Sequence, residues 1–239
     1  MRRPPVLVAA LLLVVAGAAC TPHRPDVLPP SALTGPPSVY VAVGASETTG
    51  TGSDQPLRDG YTYVLHRTAL PEGAVFVNMG IPRATVAQAL NEEMNQALSV
   101  KPNLVTVWLN VNDLVRGVAV DDYERQLDTL VKGLRAGGSV RVLLANTPAL
   151  DTLPAFTAGR LFPTPVSADE VRQLVDGYNA AIARVADREG ALLVDLHALP
   201  VDPNLVSRDG IYPNTAGHAA IAAAFANVLK RSGPLGPSG

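Results

Sequence analysis

Cysteine is all but missing. Cys20 is the only one in 239 residues, so the chain forms no internal disulfide and its fold must be held by an apolar core. Charge is sparse as well. Asp, Glu, Lys and Arg make up 17% of residues, and a formal net charge of −2 provides no basic field for nucleic acid, which is therefore not an expected partner. Histidine, the usual proton shuttle near neutral pH, occurs four times, as His23, His66, His197 and His218. No internal repeat is evident. Apolar side chains are abundant, at 47% of residues, enough for a substantial core in one domain of roughly 200 residues.

The first residues have the form of an export signal. Met1-Arg2-Arg3 precedes an apolar run from Val6 to Ala19, which ends at Cys20. The run is too short, and too closely preceded by charge, for a spanning helix, so residues 1–20 read as a signal peptide. Val14-Val15-Ala16-Gly17-Ala18-Ala19-Cys20 resembles a bacterial lipobox, with Gly17 where that motif prefers Leu. An ordinary signal peptide cut nearby, or an uncleaved anchor, is the alternative. The lipobox reading makes Cys20 the lipidation site and the protein an exported cell-envelope lipoprotein, held to the membrane through that lipid. Residues 21–37 contain Pro22, Pro25, Pro29, Pro30, Pro36 and Pro37 and read as an extended tether. Residues 38–231 are the expected domain, and 232–239, rich in Gly and Pro, a disordered tail.

Within the domain, short apolar runs alternate with helical periodicity five times. Strands are expected at 38–43, 74–77, 104–109, 140–145 and 191–196. Helices are expected at 59–70, 85–98, from Asp121 through Leu134, at 167–189 and from about Thr215 onward. Ser167 and Glu170 have the spacing of a capping box at the start of the fourth helix. The alternation implies a parallel sheet flanked by helices in three layers. Right-handed crossovers then bring the C-terminal ends of the strands to one side.

That side collects the chemistry. Tyr40-Val41-Ala42-Val43 breaks at Gly44 and places Ser46 at the end of a buried strand, followed by a Gly-rich polar loop. Ligands bind at this edge of open α/β sheets, so Ser46 is a candidate nucleophile. Acyl transfer also needs donors aimed at a developing oxyanion. The Ser46 N–H, the Gly80 N–H and the Asn112 side chain fall on the same edge and can serve.

Gly44-Ala45-Ser46, Asn78-x-Gly80, Asn112-Asp113 and Asp209-Gly210-Ile211-Tyr212-Pro213 resemble, in order, the four blocks of the SGNH hydrolases, also called GDSL esterases and lipases. The resemblance covers residues 38–231 and extends to Asn214-Thr215-Ala216-Gly217-His218 at the start of the last helix. It implies a flavodoxin-like three-layer α/β/α sandwich with a five-stranded parallel sheet. It also implies hydrolysis of carboxylic esters, acetyl groups or thioesters by a Ser nucleophile, with an oxyanion hole from Ser46, Gly80 and Asn112, and with no metal or cofactor. Small acyl esters or acylated glycans or lipids are the implied substrates, and a monomer the expected state.

Four positions depart from the family pattern. Ala45 stands where Asp is usual, Asn110 where Gly is usual, and Arg83 where a small residue is usual. The fourth concerns the triad: the late block should read Asp-x-x-His, and here Asp209 is followed by Tyr212. A phenol has a reference pKa of about 10, against about 6.5 for imidazole, and is a poor base near neutrality. His218 reads as a ring that packs or caps the last helix, with a substitute base as the alternative, and His197 is a second candidate base on the correct side. His23 falls in the tether, and His66 reads as a surface or packing residue. Glu47 is a possible local acid, Asp113 either braces a loop or touches substrate, and Trp108 reads as core. Two functions follow: a serine ester hydrolase with Tyr212 at the base position, or a pseudoenzyme that binds an acylated glycan or lipid without turning it over.

Overall fold

The computed structural model describes residues 38–235. The expected signal peptide, Cys20, the tether and residues 236–239 of the tail lie outside the described residues. Five strands, β1 (Val39–Gly44), β2 (Val75–Asn78), β3 (Leu104–Trp108), β4 (Arg141–Ala145) and β5 (Leu192–Val194), form one parallel sheet in the order β2-β1-β3-β4-β5. The α/β architecture expected from the sequence is the observed one. Every residue of β3 is buried, as its continuous apolar run requires of a central strand covered on both faces.

Alternate side chains of the strands enter two cores. Val41, Val43, Val105, Val107, Val142 and Leu144 face one; Tyr40, Ala42, Leu104, Trp108, Leu143 and Ala145 face the other. The first core is closed by α3 (Val86–Glu92), α6 (Val120–Arg135) and α8 (Ala168–Glu189), the second by α2 (Tyr61–Ala69) and α9 (Thr215–Arg231). In α6, Tyr123, Leu127, Leu130, Val131 and Leu134 make the buried stripe, with Asp121 and Asp122 at the N-terminus and Lys132 and Arg135 in the last turn. Both bonds of the Ser167–Glu170 capping box are present at the start of α8. Among the described residues no helix is long and apolar enough to cross a membrane.

The structure differs from the sequence-based expectation where helices meet the site. The helix expected at 59–70 is two, α1 (Pro56–Asp59) and α2, separated by Gly60 in extended backbone. A Cβ at Gly60 would lie 2.7 Å from the Pro56 carbonyl oxygen, so the break depends on glycine. The helix expected at 85–98 parts at Glu93 into α3 and α4 (Met94–Ser99). Two further helices, α5 (Val111–Val115) and α7 (Pro154–Thr157), are too short to show a periodicity in sequence.

Glu93 is 1% exposed. Its Oε2 accepts the Gly44 N–H at 2.8 Å, at the very end of β1, while Oε1 has no partner. Burial pushes its pKa from 4.5 to about 8, against the Gly44 N–H, which favours the charged form. The folded protein therefore holds a proton that the unfolded chain releases near pH 4.5. The stability from this neutral carboxyl is fully present below pH 4.5 and is lost as pH rises through about 8. Glu93→Gln removes that titration. Its melting temperature relative to the natural protein should climb by roughly 5 °C or more between pH 5 and pH 9, measured by thermal denaturation across that range. A flat difference would show that Glu93 does not titrate in this window.

Candidate active site

The chain leaves β1 toward β2 on one side and returns to β3 on the other, so the C-terminal ends of β1 and β3 flank the crevice where such sheets bind ligands. The turn after β1 is tight. A Cβ on Gly44 would lie 2.1 Å from Thr48 Oγ1 and 2.9 Å from the Trp108 carbonyl oxygen, so only glycine lets the chain turn there. The Thr48 N–H then donates to the Ala45 carbonyl, and the Thr51 N–H to the Ser46 carbonyl, each at 3.1 Å. This turn carries Ser46.

Ser46 is 3% exposed. Its Oγ accepts the backbone N–H of Arg83 at 2.9 Å. Arg83 has a φ of +65°, a left-handed conformation that costs a non-glycine residue about 1 kcal/mol or more, and α5 holds it there. The Arg116 guanidinium donates to the Arg83 carbonyl at 2.9 Å, Asn112 Nδ2 to the Ala84 carbonyl at 3.1 Å, and the Val86 N–H donates to both Asp113 carboxylate oxygens at 3.2 Å. Asp113 is fully buried. Burial raises its pKa to about 6, against the opposing pull of the Val86 N–H and the Arg116 charge. Three polar side chains of one short segment thus fix the strained loop that presents an N–H to the serine oxygen.

The expected oxyanion donors lie around the same serine but are differently engaged. The Gly80 N–H donates to Asn78 Oδ1 at 2.9 Å. Asn78 Nδ2 donates in turn to the Thr48 carbonyl at 2.7 Å, which ties the end of β2 to the turn. One hydrogen of the Asn112 amide is spent on Ala84. The Ser46 N–H has no acceptor among the described residues. Asn110 is buried, donating to the Ala145 carbonyl at 3.3 Å, with its Oδ1 unpartnered.

Tyr212 reaches the nucleophile position from the late loop, its hydroxyl 3.4 Å from Ser46 Oγ, longer than an ordinary hydroxyl hydrogen bond. Asp209 does not touch the phenol. Its Oδ1 accepts from Ser207 Oγ and from the Ile211 and Tyr212 N–H groups at 2.7, 2.7 and 3.1 Å, so it shapes the loop. His218 is buried. Its Nδ1 accepts the Tyr61 N–H at 3.2 Å, and Nε2, which must then carry the proton, donates to the Thr51 carbonyl at 3.0 Å. Burial lowers its pKa. Both ring nitrogens are committed, and neither bonds to Ser46. His197 sits on the surface with Nδ1 at 3.2 Å from the Thr147 carbonyl, and His66 Nε2 lies 2.8 Å from the Ala74 carbonyl, its ring stacked on Phe76. Trp108 is core, as expected. Among the described residues no group of three or more His, Cys, Asp or Glu side chains is arranged to hold a metal.

Sequence reasoning missed the Arg83 N–H and its α5 clamp. Arg83 stands where the family usually has a small residue, yet its backbone is what meets Ser46, and only a positive φ observed in three dimensions reveals that.

Comparison with known proteins shows the family and the fold. The family model described as GDSL-like Lipase/Acylhydrolase matches residues 42–220. An acetylxylan esterase of Geobacillus stearothermophilus is 27% identical over 202 residues, spanning 76% of this chain and 86% of that protein. The crystal structure of TesA superposes with a TM-score of 0.65 at 25% identity, covering 81% of this chain and 99% of that one. A catalytic mutant of an acetylxylan esterase from Geobacillus stearothermophilus shares the fold with a TM-score of 0.62 at 22% identity, covering 82% of this chain and 95% of that one.

The approach of Tyr212 to Ser46 depends on Gly52. Its φ is +99°, and a Cβ there would fall 2.3 Å from the Pro213 carbonyl oxygen and 2.7 Å from Tyr212 Cβ. Gly52→Ala should cost about 1–3 kcal/mol by chemical denaturation and push the late loop away from Ser46. An unchanged denaturation midpoint would show that the loop yields freely.

Proposed function

Since the chain belongs to the GDSL-like lipase/acylhydrolase family, we propose that it hydrolyses esters, with Ser46 Oγ as the attacking atom. The observation that carries this is the placement of Ser46 at the end of β1, with a fixed N–H on its oxygen and a hydroxyl at 3.4 Å. Attack forms an Oγ–acyl bond as the alcohol leaves, and water then releases the acid. The Ser46 N–H is available to the oxyanion. The Gly80 N–H and the Asn112 amide join it by exchanging Asn78 and Ala84 for the substrate oxygen. A hydroxyl both accepts and donates, so Tyr212 can take the Ser46 proton while passing its own to the leaving alkoxide. Carboxylic esters, acetyl groups and thioesters are the substrate classes, and the acetylxylan esterase relative supports an acylated glycan among them.

A second reading is supported by specific contacts. Asp209 makes no bond to the Tyr212 side chain, and two of the three expected oxyanion donors are engaged within the protein. These features suit a pseudoenzyme that holds an acylated glycan or lipid.

Hydrolysis of short-chain chromogenic esters by the full chain separates the two. The esterase reading expects Ser46→Ala to fall to background, and equal rates for both proteins would sink it. Tyr212→His should raise the rate by roughly 10²- to 10⁴-fold, the usual contribution of a well-placed general base.

Export and lipidation at Cys20 are proposed on the basic start, the apolar run and the lipobox-like end of residues 1–20. Cys20→Ala should move the protein from the detergent phase to the aqueous phase on partitioning of expressing cells. Identical partitioning of both forms would remove the lipid anchor.

A further inference from the structure

Beside the site lies a cavity of about 280 Å³ that the chemistry above does not use. It adjoins the proposed machinery on three sides, through Glu47 next to Ser46, Val111 next to Asn112, and Ile211 and Pro213 around Tyr212. Trp108 at the end of β3, Leu153 just ahead of α7 and Ile221 on α9 make up more of its apolar wall. Elements from both halves of the chain thus converge to enclose a space that no side chain fills.

Glu47 breaks the apolar pattern. The residue is 9% exposed and forms part of the cavity wall. Among the described residues no other group donates a hydrogen bond to its carboxyl and no cation pairs with it. Burial moves its pKa above the usual carboxylate value. The other acid in the wall, Asp202, already accepts from the Asn204 N–H and side-chain amide. Glu47 is therefore an acceptor without a donor inside an otherwise oily space.

We propose that this cavity receives the aliphatic part of the ester substrate and that Glu47 selects chains bearing a hydroxyl over plain alkyl chains. The role as a substrate pocket rests on the ester-hydrolase reading; the binding preference does not. A hydroxyl can donate to the carboxyl in either protonation state. An ammonium would have to shed its hydration to enter an apolar wall. A plain alkyl chain would seal the carboxyl away with no donor. Sites that hydrogen-bond a substrate hydroxyl reject the analogue lacking it far more strongly than apolar pockets resolve one methylene.

Trp108 is the only tryptophan of the chain and stands in the cavity wall, so its fluorescence reads occupancy without turnover. The full chain is titrated with hexanol and with methyl pentyl ether, isomers that differ in the O–H donor. Hexanol should bind at least about tenfold more tightly, the lower range of the effect of leaving a buried acceptor unpaired. Glu47→Gln, which keeps the side-chain shape and guards against a misfolded variant, adds an amide N–H that can pair with the ether oxygen and should narrow the preference, and Glu47→Leu should lose it while still binding both probes. Equal affinities in the natural protein, or a preference that survives Glu47→Leu, would overturn the assignment. The kinetic arm compares kcat/KM for chromogenic esters of hexanoate and of its terminally hydroxylated form, and the same ordering is expected. A fluorescence preference without Ser46-dependent hydrolysis would overturn the ester-hydrolase reading and uphold the binding site. Hydrolysis without the preference would do the reverse.

Discussion

The hydrogen bond from the Gly44 N–H to Glu93 holds the end of β1, and the site is built outward from that point. Because Gly44 lacks a Cβ, Thr48 and the Trp108 carbonyl can crowd against it. Thr48 then gathers its neighbours. Its carbonyl accepts from Asn78 Nδ2 and Thr62 Oγ1, and its hydroxyl pairs with Tyr61. One turn therefore joins the ends of β1 and β2 to α2. A buried carboxyl is a costly way to hold a strand end, and the unpartnered Oε1 of Glu93 adds to that cost. In return the serine sits on backbone with little freedom to move, the condition that positioning in catalysis demands.

Two independent arms reach Ser46. From β3 comes α5, whose Asn112, Asp113 and Arg116 act only on the strained segment at Arg83 to Val86. From the far end of the chain comes the Tyr212 loop, shaped by Asp209 and admitted by Gly52. The arms are unequal. The first delivers a well-formed N–H at 2.9 Å, and the second a hydroxyl at 3.4 Å. His218, six residues past Tyr212, belongs to neither arm and is a neutral ring pinned between Tyr61 and Thr51. It explains the packing of α9 on α2 and does not substitute for an imidazole at position 212.

The architecture was legible because strand and helix periods are local. β3 could be recognised from Leu104 to Trp108, and the α8 start from Ser167 and Glu170, without any tertiary information. Ser46, Gly80, Asn112, Asp209 and Tyr212 were marked out as a group by the resemblance to the SGNH blocks, each of which follows a strand or opens a loop on one edge of the sheet. What escaped the sequence was contact between backbone and distant side chains. The Arg83 amide and the Glu93 carboxyl are separated from their partners by 37 and 49 residues, and neither has a pattern of its own. The cavity was equally hidden, since its wall is contributed by residues from Glu47 to Ile221 that meet only after folding.

The Arg141 guanidinium donates to the carbonyls of Gly233 and Pro234, so the chain leaving α9 is tied down at the first residue of β4. Val39 enters the sheet at that same edge. Entry and exit of the domain therefore share one pole, and Ser46 occupies the other, about 20 Å away along β1.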